Sequence, residues 1–409
     1  MKEINSFAKR PEVLSPAGDK ERLMAAVSFG ADAVYLAGQA FGMRTSPNNF
    51  SEEEIVKAVD FAHKSSVKVY VTCNTLPHNE EVPKLPAFIQ KLADAQVDAI
   101  IVADVGVLQL AKKYAPGVDV HISTQAGVVN YLTARAFYEL GAKRVILARE
   151  LTLEEIATIR AKTDRDLELE VFVHGSMCVS FSGRCLLSSY LTGRDANRGD
   201  CAQPCRWKYS LVEENREGQH FSIMEENNGA YILNSRDLCM INHIPEIINA
   251  GATSLKIEGR AKSAYYVATT TNAYRNAVDL YLSGKPIEPW VIEELEKISH
   301  REYSTGFFFG SEPGQIYSNG GYIRKYDVVA VCDGFKDGKI EVTQRNKFSK
   351  GDTLDVLEPG CRAFEAKVEK IFDQWGNELD SAPHAMQKLT IMLDMCKKVL
   401  PGAYLRKKR

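Results

Sequence analysis

Four cysteines fall within residues 174–207, HGSMCVSFSGRCLLSSYLTGRDANRGDCAQPCRW. Cys178, Cys185, Cys201 and Cys205 are spaced C-x6-C-x15-C-x3-C. Thiols grouped in this way form disulfides, ligate zinc or ligate an iron–sulfur cluster. The chain has nine cysteines, so at least one stays unpaired. Its start, MKEINSFAKRPEVL, is charged and lacks the apolar segment of a secretory signal. No apolar run reaches the roughly 20 residues that span a bilayer. The expectation is a cytoplasmic protein without membrane contact, where thiols stay reduced. Metal is then the main reading. Structural zinc favours paired C-x2–4-C knuckles, and only Cys201 and Cys205 form one. A cubane presents four separated corners and tolerates looser spacing. Spacing alone leaves cluster and zinc both open. Cys239 is an alternative fourth ligand, and Cys73, at a strand end, is a further candidate. Cys332, Cys361 and Cys396 read as small, buried apolar residues. Arg194, Arg198 and Arg206 can offset the charge of thiolates.

Other chemistry is poorly signalled. There is no HExxH, GxSxG, Walker loop or GxGxxG after a strand. Of the 409 residues, 45% are hydrophobic and 25% charged, as in an ordinary globular protein. A net charge of -2 excludes a uniformly basic nucleic-acid binder. Any such binding needs a local basic patch.

The elements that must position these residues are short apolar runs alternating with amphipathic helices. Strands are expected at Glu12–Ser15, Ala33–Ala37, Val67–Thr72, Ala99–Ala103, Val118–Ser123, Arg144–Ala148, Leu167–Val173 and Thr253–Ile257. Helices such as Ser51–Lys64 and Thr152–Ala161 open with Ser51 as N-cap and with capping-box spacing from Thr152 to Glu155. The pattern predicts an α/β fold, a (β/α)8 TIM-type barrel over residues 1–285. A long cysteine-bearing insertion, about 174–250, separates its last two strands. That insertion is expected to hold a hairpin (Tyr209–Val212 with Tyr231–Leu233) and a helix near Ile244–Ala250. Helix Ala264–Ser283 should close the barrel. A linker and helix at 286–321 lead to short alternating strands at 322–409, which read as a small antiparallel β-barrel domain. The last thirteen residues, KKVLPGAYLRKKR, carry six Lys or Arg and read as a solubilising or RNA-contacting tail.

Barrel enzymes place their sites where strands end. Ser15, Gly18, Gly38, Gln39 and Asp104 fall there. Among strand-end residues, His174, Glu258 and Arg260 are the catalytic candidates. Arg44, Asn74, Gln125 and Glu150 are substrate-binding candidates, and Thr124 neighbours them. Arginine pairs bidentately with carboxylate or phosphate, so an anionic ligand is expected.

Glu170-x-Phe172-x-x-Gly175-Ser176-Met177-Cys178-x4-Gly183-x-Cys185-x-Leu187-Ser188 resembles the signature of the peptidase U32 family. NSRDLCMI (234–241), LKIEGRAKSAYYV (255–267) and LSPAGD (14–19) are similar to its other hallmark segments. The resemblance runs along the whole chain and is closest to the branch of bacterial prephenate-dependent tRNA uridine hydroxylation. It implies a [4Fe–4S] cluster on Cys178, Cys185, Cys201 and Cys205, with Cys239 as alternative. It implies tRNA and prephenate as partners, a related U32 protein as a partner subunit, and 5-hydroxyuridine at the wobble position as product. The alternative it implies is a collagenase-type peptidase.

Overall fold

The computed structural model describes residues 10–43, 49–178, 180–182, 185–207, 211–212, 220–221, 235–310, 321–395 and 397–409. Arg44 and Cys396 lie outside them.

Eight parallel strands form the first sheet: β1 Glu12–Pro16, β2 Ala33–Ala37, β3 Lys68–Cys73, β4 Ala99–Val102, β5 Asp119–Ile122, β6 Arg144–Ile146, β7 Glu168–Ser176 and β8 Ser254–Ile257. Each pairs with the next, and β8 pairs with both β7 and β1, so the sheet closes. The TIM-type barrel expected from the alternating pattern is present. Helices α1 Lys20–Ser28, α2 Glu52–His63, α3 Leu85–Asp94, α4 Val105–Tyr114, α5 Tyr131–Glu139 and α6 Leu153–Ala161 connect the strands. Ser51 with Glu54 and Thr152 with Glu155 form complete capping boxes, so α2 and α6 begin where the sequence places them.

The barrel interior is charged as well as apolar. Arg144 donates to Glu12, Glu168 and Glu170 at 2.6–2.9 Å. Glu170 is fully buried and also accepts from Lys256 at 2.8 Å. Buried charges persist only when paired and hydrogen-bonded, and this hub pairs each of them.

The insertion after β7 contains α7 Leu187–Thr192 and α8 Ile244–Asn249. Leu211–Val212 pairs with His220–Phe221, not with the expected Tyr231–Leu233, which lies outside the described residues. Asp237–Cys239 pairs antiparallel with the end of β7, residues 174–176. This pairing extends β7 past the expected end at Val173.

Residues 24–31, 262–300 and 323–409 make a second compact unit. It holds helices α9 Ala264–Leu282 and α10 Pro289–Leu295. Its strands are β9 Tyr326–Lys336, β10 Lys339–Gln344, β11 Thr353–Leu357, β12 Phe364–Phe372, β13 Lys388–Leu393 and β14 Tyr404–Lys408. The order β11-β14-β9-β10-β13-β12, closed by β11 with β12, is an antiparallel six-stranded barrel. Its core includes Val342, Leu354, Ile371, Ile391 and Cys332. Cys361 is exposed, contrary to expectation, because it sits in the turn before β12. Within the basic terminus, Tyr404–Lys408 is not frayed: it is β14. Arg406 is fully buried, bonded to Glu294 at 2.6 and 2.8 Å, to Asp355 at 3.1 Å and to the Tyr265 hydroxyl at 2.9 Å. Among the described residues, no helix is long and apolar enough to cross a membrane.

Candidate active site

A cavity of about 230 Å3 opens where the barrel strands end. The side chains of β8 explain how it is furnished. Residues two apart on a strand share a face. Lys256, Glu258 and Arg260 carry that alternation past the strand end, and all three line the cavity. Lys256 is held by Glu170 and lies 4.5 Å from the centre of the Tyr35 ring. Arg260 donates to the Thr72 hydroxyl at 3.3 Å, the Met43 carbonyl at 2.9 Å and the Asn49 side chain at 3.3 Å. It thereby ties the segment after β2 to the cavity.

Two glycines make room for this turn. A Cβ on Gly18 would lie 2.0 Å from the Arg260 carbonyl oxygen. A Cβ on Gly175, whose φ is +111°, would lie 2.5 Å from the Glu258 carbonyl oxygen. The LSPAGD and HGSMC segments thus owe their glycines to the close approach of the backbone after β8.

The thiols line the same cavity. Cys178, Cys185, Cys201 and Cys205 all line the cavity. Burial raises the Cys205 thiol above its usual pKa. The Arg206 charge opposes this, while the other three thiols add to it, so the four sense one another. Glu150 positions this lining by accepting from the Ser182 backbone N–H at 3.0 Å and from its hydroxyl. Cys239 is not among the lining residues; it sits opposite His174 in the strand pairing. Cys73 is buried outside the cavity, and burial pushes its thiol up to about 12. Among the described residues, no three Cys, His, Asp or Glu side chains converge on a point where a single metal ion could sit.

The structure brings Asn74, Gln125, Glu150, Glu258 and Arg260 to the cavity, with Thr124 beside them. Asn74 bridges the Met43 backbone N–H and Ser123. His174 does not line the cavity: it is buried on the extended β7, against Tyr303. Asp104 is spent as the N-cap of α4, and Gly38 and Gln39 line a separate pocket by α2. Lys256 and Arg149 were not picked out as site residues. Lys256 was signalled by its two-residue spacing from Glu258. Arg149 was hidden beside Glu150 at a strand end. Of the insertion's arginines, Arg194 pairs with Asp200 and Arg198 with Glu81.

The sequence model of peptidase family U32 matches residues 18–317, and that of the family's C-terminal domain matches residues 324–406. The chain is 40% identical over 408 residues to a protein of Bacillus subtilis named tRNA hydroxylation protein P1, covering 98% of this chain and 96% of that one. It is 34% identical to a 23S rRNA 5-hydroxycytidine synthase of Escherichia coli, covering 92% of this chain and 58% of the relative. It is 32% identical to a collagenase of Porphyromonas gingivalis, covering 98% and 97%.

Proposed function

Because the chain belongs to the peptidase U32 family, we propose that it is an RNA-modifying enzyme, and specifically that it takes part in prephenate-dependent hydroxylation of the tRNA wobble uridine to 5-hydroxyuridine. One observation carries this reading: four thiols and the Lys256–Glu258–Arg260 series share one cavity. The relatives named for RNA hydroxylation supply the substrate class.

The donor set suits a [4Fe–4S] cluster on Cys178, Cys185, Cys201 and Cys205. A cubane takes its thiolates at separated corners. Structural zinc favours paired knuckles, and only Cys201 and Cys205 form one. Cys239, away from the cavity wall, is the poorer fourth ligand. When bound, the cluster would supply redox-active iron beside the ligand. The chain's own residues do the rest. Glu258 presents a carboxylate that can hold or release a proton, and Lys256 with the arginines presents positive charge to an anionic co-substrate. Asn74 and Arg260 hold the backbone of Met43 at the cavity lining.

The test is mass spectrometry of tRNA nucleosides from a strain lacking the protein. The expected result is loss of 5-hydroxyuridine, restored by the wild-type chain but not by Cys178→Ala. Intact modification in the deletion strain would overturn the reading. The collagenase relative keeps a peptidase as second reading. Against it, no histidine among the described residues lines the cavity, and Ser182 spends its hydroxyl on Glu150. A triad-type nucleophile needs a positioned base. Unchanged tRNA with altered proteolysis would favour the peptidase.

A further inference from the structure

Arg149 follows β6 and lines the thiol cavity. Its guanidinium carbon stands 3.9 Å from the centre of the Phe172 ring, so the plane is held by stacking. Its side chain keeps only 14% of its exposure. Nη1 donates to the Ser176 carbonyl at 2.9 Å. Nη2 makes a long 3.4 Å contact with Glu258. Nε is buried and has no hydrogen-bond partner among the described residues.

A buried N–H left without an acceptor is costly, and native proteins rarely leave one so. Nε and Nη2 form one edge of the guanidinium. A carboxylate meets such an edge with two parallel hydrogen bonds. Here one donor on that edge is unspent and the other weakly spent. Lys256 adds a second positive charge to the same cavity, its Nζ directed to Glu170. The volume of about 230 Å3 is room enough for a small organic molecule.

We propose that Arg149, stacked on Phe172 and supported by Lys256, is the anchoring residue for the carboxylate of a small organic acid. This rests on the reading above, whose co-substrate prephenate is a dicarboxylate, and it gives one carboxylate to Arg149; three contacts of Arg260 already hold neighbouring oxygens. Phe172 then sets specificity: the acid must carry its carboxylate where the ring holds the guanidinium flat.

The experiment is isothermal titration of the full chain, purified without oxygen, with prephenate and separately with malonate. Arg149→Gln should weaken binding of either acid about 10- to 100-fold, as expected when charge-assisted hydrogen bonds are lost. Arg149→Lys keeps the charge but not the paired donors and should still weaken binding; it carries the test if the Gln variant fails to fold. Arg135→Gln, which removes an exposed arginine paired with Glu139, is the control and should bind as wild type. Unchanged affinity in both Arg149 variants, or no binding of either acid to the wild type, overturns the proposal. Arg149-dependent binding of malonate without binding of prephenate upholds the anchor and sinks prephenate as the co-substrate.

Discussion

Replacing Gly18 by alanine tests whether the hallmark glycines serve the cavity. The added Cβ would stand 2.0 Å from the carbonyl oxygen of Arg260 and 3.1 Å from the Arg22 Cδ. The Arg22 side chain can swing aside, but the carbonyl is backbone. An ordinary contact begins at 3.4 Å, so the backbone at residue 18 or residue 260 must retreat by about 1.4 Å. Overpacking of this kind costs about 1–3 kcal/mol, which in a chain of this size lowers the unfolding temperature by roughly 1–5 °C. The functional effect should be larger than the stability effect. A 1 Å misplacement of positioning groups can cost about 10²-fold in rate, and Arg260 carries both the cavity edge and the segment after β2.

The assay has two readouts: thermal unfolding of the purified variant and the 5-hydroxyuridine content of tRNA in a deletion strain carrying it. Gly18→Ala should remain folded and contain iron while modification falls at least tenfold. Gly175→Ala should do worse, since its positive φ adds backbone strain to a 2.5 Å approach to Glu258. Wild-type modification and an unchanged unfolding temperature in Gly18→Ala would refute the argument that this glycine holds the turn after β8.

Cys178→Ala, Cys185→Ala, Cys201→Ala and Cys205→Ala should each lose the brown colour and iron of the anaerobically purified protein, whereas Cys239→Ala should keep both; stoichiometric zinc without iron would sink the cluster. Arg406→Met should destabilise the second unit by about 1.5–3 kcal/mol, read by denaturant unfolding, because it takes from the buried Glu294 carboxylate its two-bond partner and leaves it Lys297 alone. Burial alone would raise the Glu12 carboxyl, but the charge and hydrogen bond of Arg144, with Tyr70 and Ser254, hold it below its ordinary 4.5. That group's contribution to stability is therefore complete above pH 4.5 and lost as pH falls through its lowered folded value, and Arg144→Met should flatten this acid dependence. Cys73, its thiol pushed up to about 12 by burial, should escape iodoacetamide at pH 8 in the native chain. Lys398→Gln with Lys408→Gln should change the salt slope of tRNA binding by no more than about 2, since each phosphate contact is worth about 0.9.

The cavity's thiols were legible because cysteine is scarce enough for its clustering to mean something, and the barrel because eight buried runs recur between capped helices. Pairings far apart in sequence were not. His174 read as the residue just after a strand, so a catalytic role followed. The strand in fact continues to Ser176, because Asp237–Cys239 pairs with it from some sixty residues downstream. No local pattern announces that pairing, and it takes His174 out of the cavity lining. Arg149 was missed for a related reason. Alternation fixes which side chain points inward along a strand, but it lapses where the strand ends, so Glu150 was chosen over its neighbour. In the structure Glu150 braces the thiol wall while Arg149 stacks on Phe172.

Charge misled most where composition was taken for exposure. KKVLPGAYLRKKR looks like a solvated arm, and a run of cations usually is one. Yet Lys397 pairs with Glu358, Arg406 with Glu294 and Asp355, Lys407 with Asp352 and Arg409 with Asp327. Four of the tail's six cations are thus met by carboxylates of the same unit. A phosphate contact at those positions must first break an ion pair, which for Arg406 is fully buried. The same holds in the insertion, where Asp200 and Glu81 meet Arg194 and Arg198 and leave Arg206, beside Cys205, without a carboxylate among the described residues. The positive charges that matter for a small anion are inside the barrel, on Arg149, which meets Glu258 only at 3.4 Å, and on Lys256, which Glu170 holds at 2.8 Å; there water is scarce and each interaction is strengthened.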